Sequence, residues 1–225
     1  MDGNGRWAKS HRLKRIEGHR AAERSIHDAV EFCGEAGVKY LTLYAFSTEN
    51  WERPKAEVNF IMTLLKSFIK RNIESLNRNG VRVRATGRLD DLPPGPLGVL
   101  RNAIERTRAN DGLNLILALS YGGRAEITDA MKSIVHDIEA GLMNAADVSE
   151  KTIATYLYNP DVPDPDIIVR TSGEQRLSNF LLWESAYSEL YFTDVLWPDF
   201  RKKHLKEVFD YYRTRRRRFG KIDSS

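Results

Sequence analysis

The chain reads as an α/β domain with a mostly parallel central sheet flanked by helices. Three observations predict this. Segments with apolar residues at helical spacing alternate with short apolar runs. Repeated strand–helix–strand order implies parallel strands joined by right-handed crossovers. Polar loops bearing Arg, Gly or Ser follow the apolar runs, and open parallel sheets bind ligands at these carboxyl ends.

The elements follow in order. Residues 18–36 carry Ala22, Ile26, Ala29, Val30 and Cys33 at helical spacing, and Gly37 ends that helix. "VKYLTLYAFS" is a strand rich in aliphatic and aromatic residues. Pro54 opens a long helix to about Asn79, stopped by Gly80. "VRVRATG" alternates as a strand and "LDDLPPGP" is a loop. A helix over 96–109 precedes "LNLILALSY", a buried strand. Further helices are predicted from Arg124 to Ala140 and over 149–158, with "DVPDPD" as a turn-rich loop. "IIVRTS" and "SELYFT" read as strands, and a last helix starts near Pro198 or Asp199 and runs into "YYRTRRRRFG". No repeat, long linker or low-complexity segment divides residues 1–225, so one domain is expected.

Composition narrows the function classes. The hydrophobic fraction of 41% supports a sizeable core. Lys+Arg 35 against Asp+Glu 31 leaves +4, too mild to call for nucleic acid. The single cysteine, Cys33, excludes an internal disulfide and a Cys-rich zinc site, and fits a reducing cytoplasm. No apolar run approaches the ~20 residues of a membrane span, so a soluble protein is expected.

The loops after the strands collect the chemistry. They hold "STENWERP", "YGGR" and "RTSGEQRLSNF", and each carries Arg. Polar loops are ordinary. Arg recurring at one end of several strands is less so, because its guanidinium fork matches phosphate oxygens. The opening "MDGNGR" fits the same reading. Gly3 and Gly5 flank Asn4, allowing a sharp turn whose N–H groups face one anion, and Arg6 adds a charge. Asp2 beside an anion site calls for a bridging cation, usually Mg2+.

"MDGNGRWA", "GHRAA", "LTLYAFSTENWERP", "YGGR", "RTSGEQRLSNFLLW" and "SELYFTDVLWPDF" together resemble the motifs of the cis-prenyltransferases, nearest to undecaprenyl diphosphate synthases. The resemblance spans nearly the whole chain. It implies a helix-flanked parallel sheet with an apolar tunnel. It also implies Mg2+-dependent Z-condensation of isopentenyl diphosphate onto an allylic diphosphate such as farnesyl diphosphate, with pyrophosphate released. Absence of an insertion in the 54–79 helix implies a medium-to-long product. The family forms cytoplasmic homodimers and allows product release at a membrane surface. An apolar strand precedes the aspartate in the family, so the usual first strand is expected to lie upstream of Met1, absent from this sheet.

Site residues carry over by motif. Asp2 resembles the catalytic, Mg2+-holding aspartate, and Glu189 a second Mg2+-linked acid. Gly3, Asn4, Gly5, Arg6, Arg15, His19 and Arg53 resemble the allylic diphosphate cradle. Trp7 and Trp51 match positions near the prenyl chain and active-site loop, and Ser47, Thr48 and Glu49 the loop beneath the substrate. Asn50 matches the position of the proton acceptor; a neutral amide has almost no basicity, so it is expected to position a water or a diphosphate oxygen that takes the proton. Arg170, Arg176, Leu177 and Ser178 resemble the isopentenyl diphosphate site. Arg218 with Gly220 resembles a C-terminal element that reaches the partner subunit.

Blander readings stand beside these. Asp90-Asp91 is expected to be a solvated loop, and Asp161, Asp164 and Asp166 to cap turns. The long helix could pack as plain core or line the tunnel with one face. "RTRRRRFG" could be a solvated helix end or a nucleic-acid patch. The rival class is a non-catalytic relative serving as a partner subunit. Such relatives lose the "DGNGRW" cradle, which this chain keeps.

Overall fold

The structure is a computed structural model and describes residues 1–215. Seven α-helices and five strands alternate within them: α1 Asn4–Ser10, α2 Arg15–Glu35, β1 Tyr40–Ser47, α3 Lys55–Arg78, β2 Arg82–Thr86, α4 Pro94–Thr107, β3 Asn114–Tyr121, α5 Gly123–Glu139, α6 Glu150–Tyr156, β4 Ile167–Arg170, β5 Glu189–Phe192 and α7 Lys202–Arg213. Every pairing is parallel. The ladder falls into two sheets, one ordered β1-β3-β2 and one pairing β4 with β5. The single sheet expected is thus interrupted. Leu41 and Leu43 of β1 and Ile167 and Val169 of β4 line one cavity with no ladder between them.

β3 is the centre, which explains its unbroken apolar run: every residue from Leu115 to Tyr121 is buried. Leu115, Leu117 and Leu119 join the main core with Cys33, Ile73, Leu76 and Leu100. Ile116 and Ala118 are buried outside that cluster, as period-two alternation requires. Register slips at Tyr44/Phe46 and Phe46/Ser47 bend the end of β1. The chain then enters a 3-10 turn, Thr48–Glu52, that carries Asn50 and Trp51.

Several local expectations change. A first helix, α1, precedes the expected one, and Gly18 is why the two can pack closely. A Cβ there would stand 1.9 Å from the Asn4 carbonyl oxygen. The final helix starts at Lys202. Residues 197–199 form a 3-10 turn that buries Trp197 and Pro198, and Arg201 is extended. α3 packs as core on one face and lines a cavity with another. Ile61, Leu64, Leu65 and Phe68 line the cavity, while Met62, Ile69, Ile73 and Leu76 pack in the core. Burial pushes the Cys33 thiol up to about 12, so it is inert at neutral pH.

Two acidic stretches are more engaged than expected. Asp91 accepts a hydrogen bond from Ser120 Oγ at 2.7 Å, and Asp90 pairs with Arg101. Asp161 takes a bidentate contact from Arg84 of β2, at 2.6 and 2.8 Å. The Arg218 and Gly220 element lies outside the described residues.

Candidate active site

Asp2 is held at the carboxyl end of β4. Its carbonyl oxygen accepts from Trp197 N at 2.9 Å, Thr171 Oγ1 at 3.0 Å and Ser172 Oγ at 2.6 Å. Its own N–H donates to Thr171 Oγ1. Gly3 makes the approach possible: φ is +99°, and a Cβ would stand 2.1 Å from Ser172 Oγ. The Asp2 carboxylate accepts from Gly3 N at 2.7 Å and meets Arg170 Nη2 at 3.1 Å. Burial works against this charge, but Arg170 and the Gly3 N–H outweigh it and hold the carboxyl below its ordinary range.

A second group assembles around Glu57, a residue absent from the motif-based set. One of its oxygens lies 3.1 Å from Arg15 Nε, 3.0 Å from Arg53 Nη1 and 3.8 Å from His19 Nε2. Its side chain is 15% exposed, so these are contacts of a shielded carboxylate. The three residues come from α2 and the turn before α3, and Glu57 gathers them on one wall with Asn4, whose Nδ2 is 3.4 Å from His19 Nδ1. Burial keeps His19 below its ordinary pKa, and so mostly neutral at pH 7. Its Nε2 is buried with no hydrogen-bond partner among the described residues.

A third group lies on the loop after β4. Arg170 Nη1 donates to Ser178 Oγ at 2.7 Å and to the Arg176 carbonyl. Glu174 pairs with Arg6 at 3.1 Å and with Arg176. Ser172, Ser178, Asn179 and Leu181 all have positive φ, so backbone strain concentrates in this loop.

These groups open on one cavity of about 1190 Å³. Its polar wall includes Asp2, Asn4, Gly5, Arg15, His19, Ser47, Glu49, Asn50, Arg53, Arg170, Arg176 and Ser178, with the apolar Leu177 side chain among them. Elsewhere it is apolar, with Ile26 and Ala29 of α2, Leu64 and Phe68 of α3, and Leu205 and Val208 of α7.

Gly3, Arg6, Trp7, Thr48, Trp51 and Glu189 do not line the cavity. Gly3 and Arg6 support it through Asp2 and Ser172. Trp7 donates to Asp199 Oδ1 and stacks on His11, and Trp51 donates to Ser120 Oγ and packs edge-on to Phe46. Glu189 does not join Asp2 within the chain. It pairs in register with Ile167, three residues before Arg170, about 10 Å along the strand. Its carboxylate meets Arg215 instead, at 3.0 Å. No helix among the described residues is long and apolar enough to cross a membrane.

The Prenyltransf model, that of the undecaprenyl diphosphate synthase family, matches residues 1–220. An isoprenyl transferase of Clostridium perfringens is 51% identical over 222 residues, covering 99% of this chain and 88% of the relative. One of Thermotoga maritima is 51% identical over 220 residues, covering 98% and 94%. Among solved structures, lavandulyl diphosphate synthase from Lavandula x intermedia in complex with dimethylallyl diphosphate superposes with a TM-score of 0.95 at 34% identity, covering 98% and 95%. With its parallel strands, its cavity and these matches over nearly all of its length, the chain belongs to the undecaprenyl diphosphate synthase family and is a cis-prenyltransferase.

Proposed function

We propose that the protein condenses isopentenyl diphosphate onto an allylic diphosphate, farnesyl diphosphate in the first instance, to give a medium-to-long Z-polyprenyl diphosphate. The observation that carries this reading is one cavity with two cationic groups on its polar wall and an apolar remainder. Arg15, His19 and Arg53, with Asn4 and Gly5, bind the allylic diphosphate. His19 Nε2 supplies a spare donor there. Arg170, Arg176 and Ser178 bind the second diphosphate. The likeness to a structure holding dimethylallyl diphosphate supports an allylic substrate.

The chemistry asked of these residues is modest. Breaking the allylic C–O bond leaves negative charge on the diphosphate, which fixed guanidinium groups stabilise. The apolar walls shield the partial cation from water. The second diphosphate is held so that its alkene reaches the allylic carbon. Asn50 Oδ1 already accepts from Ser47 N, so this side chain is left to donate through its NH2. It orients the diphosphate oxygen or water that takes the proton.

The residues fit Mg2+ held chiefly by substrate. Asp2 offers one half-exposed carboxylate at the polar wall, and Mg2+ beside phosphates needs only one or two. Bound there, the ion would neutralise charge on the leaving diphosphate. Glu189 lies apart from Asp2 in the chain, and the family membership is what supports the expected homodimer. A cytoplasmic enzyme releasing an apolar product at a membrane surface completes the reading.

Incubation with labelled isopentenyl diphosphate, farnesyl diphosphate and Mg2+, followed by product chromatography, tests it. Chain-extended polyprenyl diphosphates and pyrophosphate are expected. No extension under any metal condition would refute it and favour the partner-subunit class.

A further inference from the structure

We infer that Asn179 is a positioning residue, one that clamps the second-diphosphate loop against the loops after β1 and β3. The inference rests on the function proposed above. Three separate segments meet at this side chain. Its Nδ2 donates to Glu49 Oε1 at 2.7 Å, in the turn after β1. Its Oδ1 accepts from Arg124 N at 2.8 Å, in the first turn of α5. Its backbone carbonyl accepts from Gly123 N at 2.7 Å. The two side-chain contacts fix the amide orientation, because an N–H requires an acceptor and a carboxylate a donor.

The surroundings are shaped to this residue. Asn179 has φ +64°, a left-handed conformation that Asn tolerates better than most residues. A Cβ on Gly122 would stand 2.6 Å from its Nδ2, and one on Gly123 would meet Leu182 at 2.8 Å. Both glycines therefore leave room for the loop to seat against the start of α5. Phe180, the next residue, stacks on Tyr44 of β1 at 4.5 Å. Ser178, the residue before, receives Arg170 Nη1 at 2.7 Å and is itself at φ +52°. Without the clamp, the loop keeps the Arg170 bonds to Ser178 Oγ and the Arg176 carbonyl but loses its side-chain ties to Glu49 and Arg124, so two consecutive left-handed residues, Ser178 and Asn179, are held less firmly against Arg170.

The clamp acts on one substrate more than the other. It touches the loop carrying Arg176, Leu177 and Ser178, and has no contact with Arg15, His19, Arg53 or Glu57. Loss of its two side-chain bonds should therefore raise KM for isopentenyl diphosphate about tenfold, from two bonds of ordinary strength. KM for farnesyl diphosphate should stay within about twofold.

The test compares Asn179→Ala, Asn179→Asp and Gly122→Ala with the wild type. Initial rates are taken against each substrate, and amide hydrogen exchange is followed at Gly123 and Arg124. Asn179→Asp keeps the acceptor for Arg124 N but sets a second carboxylate against Glu49, so its effect should be the largest. Gly122 has extended backbone, so Gly122→Ala should reproduce the shift by displacing the Asn179 amide, 2.6 Å from the new Cβ, together with the Thr48 hydroxyl at 2.7 Å. Exchange at Gly123 should accelerate in Asn179→Ala even though its acceptor, a backbone carbonyl, is retained. Equal rises in both KM values, no rise in either, or unchanged exchange at Gly123 would overturn the inference. Wild-type protein inactive on these substrates would refute the functional reading, and the exchange arm would then judge the clamp by itself.

Discussion

Gly3→Ala is the most informative single change, because one methyl group tests how Asp2 is held. Gly3 has φ +99°, and the left-handed region costs other residues about 1–2 kcal/mol. The new Cβ would stand 2.1 Å from Ser172 Oγ and 2.9 Å from Leu196 Cδ2, so Ser172 must move. That breaks the 2.6 Å bond from Ser172 Oγ to the Asp2 carbonyl, worth about 1 kcal/mol. The sum, about 2–3 kcal/mol, lowers the melting temperature by roughly 4–12 °C for a chain of this size. Activity should fall further than stability, since a displacement of about 1 Å at a reacting group can cost about 100-fold. Gly34→Ala is the control. Gly34 lies inside α2 with nothing within 4 Å of a Cβ, so the same methyl should stabilise by about 0.5–1 kcal/mol. Thermal melts and pyrophosphate release measure both variants. A Gly3→Ala protein that melts and turns over like the wild type would refute the reasoning.

Other expectations follow from the same geometry. Asp2→Ala should keep its fold by circular dichroism, because its tethers are backbone groups, yet lose turnover by at least 10²-fold, about 3 kcal/mol. Arg170→Ala and Arg176→Ala should raise KM for isopentenyl diphosphate more than for the allylic substrate. Arg170 should have the larger effect, since it is shielded and meets Asp2, Ser178 and the Arg176 carbonyl. Glu57→Gln should reverse that preference and raise the allylic KM, as Arg15, His19 and Arg53 lose their common partner. Glu184→Gln probes pH. Burial and the neighbouring Glu126 push the Glu184 carboxyl up to about 7, so the folded state holds a proton that the unfolded chain loses near its ordinary pKa. Wild-type stability should therefore fall as pH rises from about 4.5 to about 7 through this group, and the Gln variant should escape that fall. Melting curves that stay parallel from pH 4 to pH 8 would contradict it.

Much of the fold was legible because its signals are local. The apolar run of β3, Gly37 and Gly80 as helix stops, and Pro54 as a helix start all act within a few residues. The interruption between β1 and β4 was not legible, since strand adjacency depends on the packing of distant segments. The same distinction runs through the site. Asp2, Arg170 and Ser178 sit in motifs dense with Gly, Ser and Arg. Glu57 and Asn179 matter through what converges on them, from positions up to 130 residues apart. Asp91 is exposed, as expected, but nothing nearby in sequence announces the bond it accepts from Ser120.

The ion pairs within the polar wall bear on how such an enzyme empties itself. At the second subsite Arg170 is matched by Asp2, and Arg6 and Arg176 by Glu174. An incoming diphosphate therefore displaces resident carboxylates rather than meeting bare cations, and its affinity is the difference between two attractions. On the proposed chemistry, pyrophosphate must leave the second subsite after every condensation. Guanidinium groups that can return to Glu174 and Asp2 need not remain unpaired when it departs. The carboxylates thus weaken the grip on a spent product in the same loop that must refill for the next round.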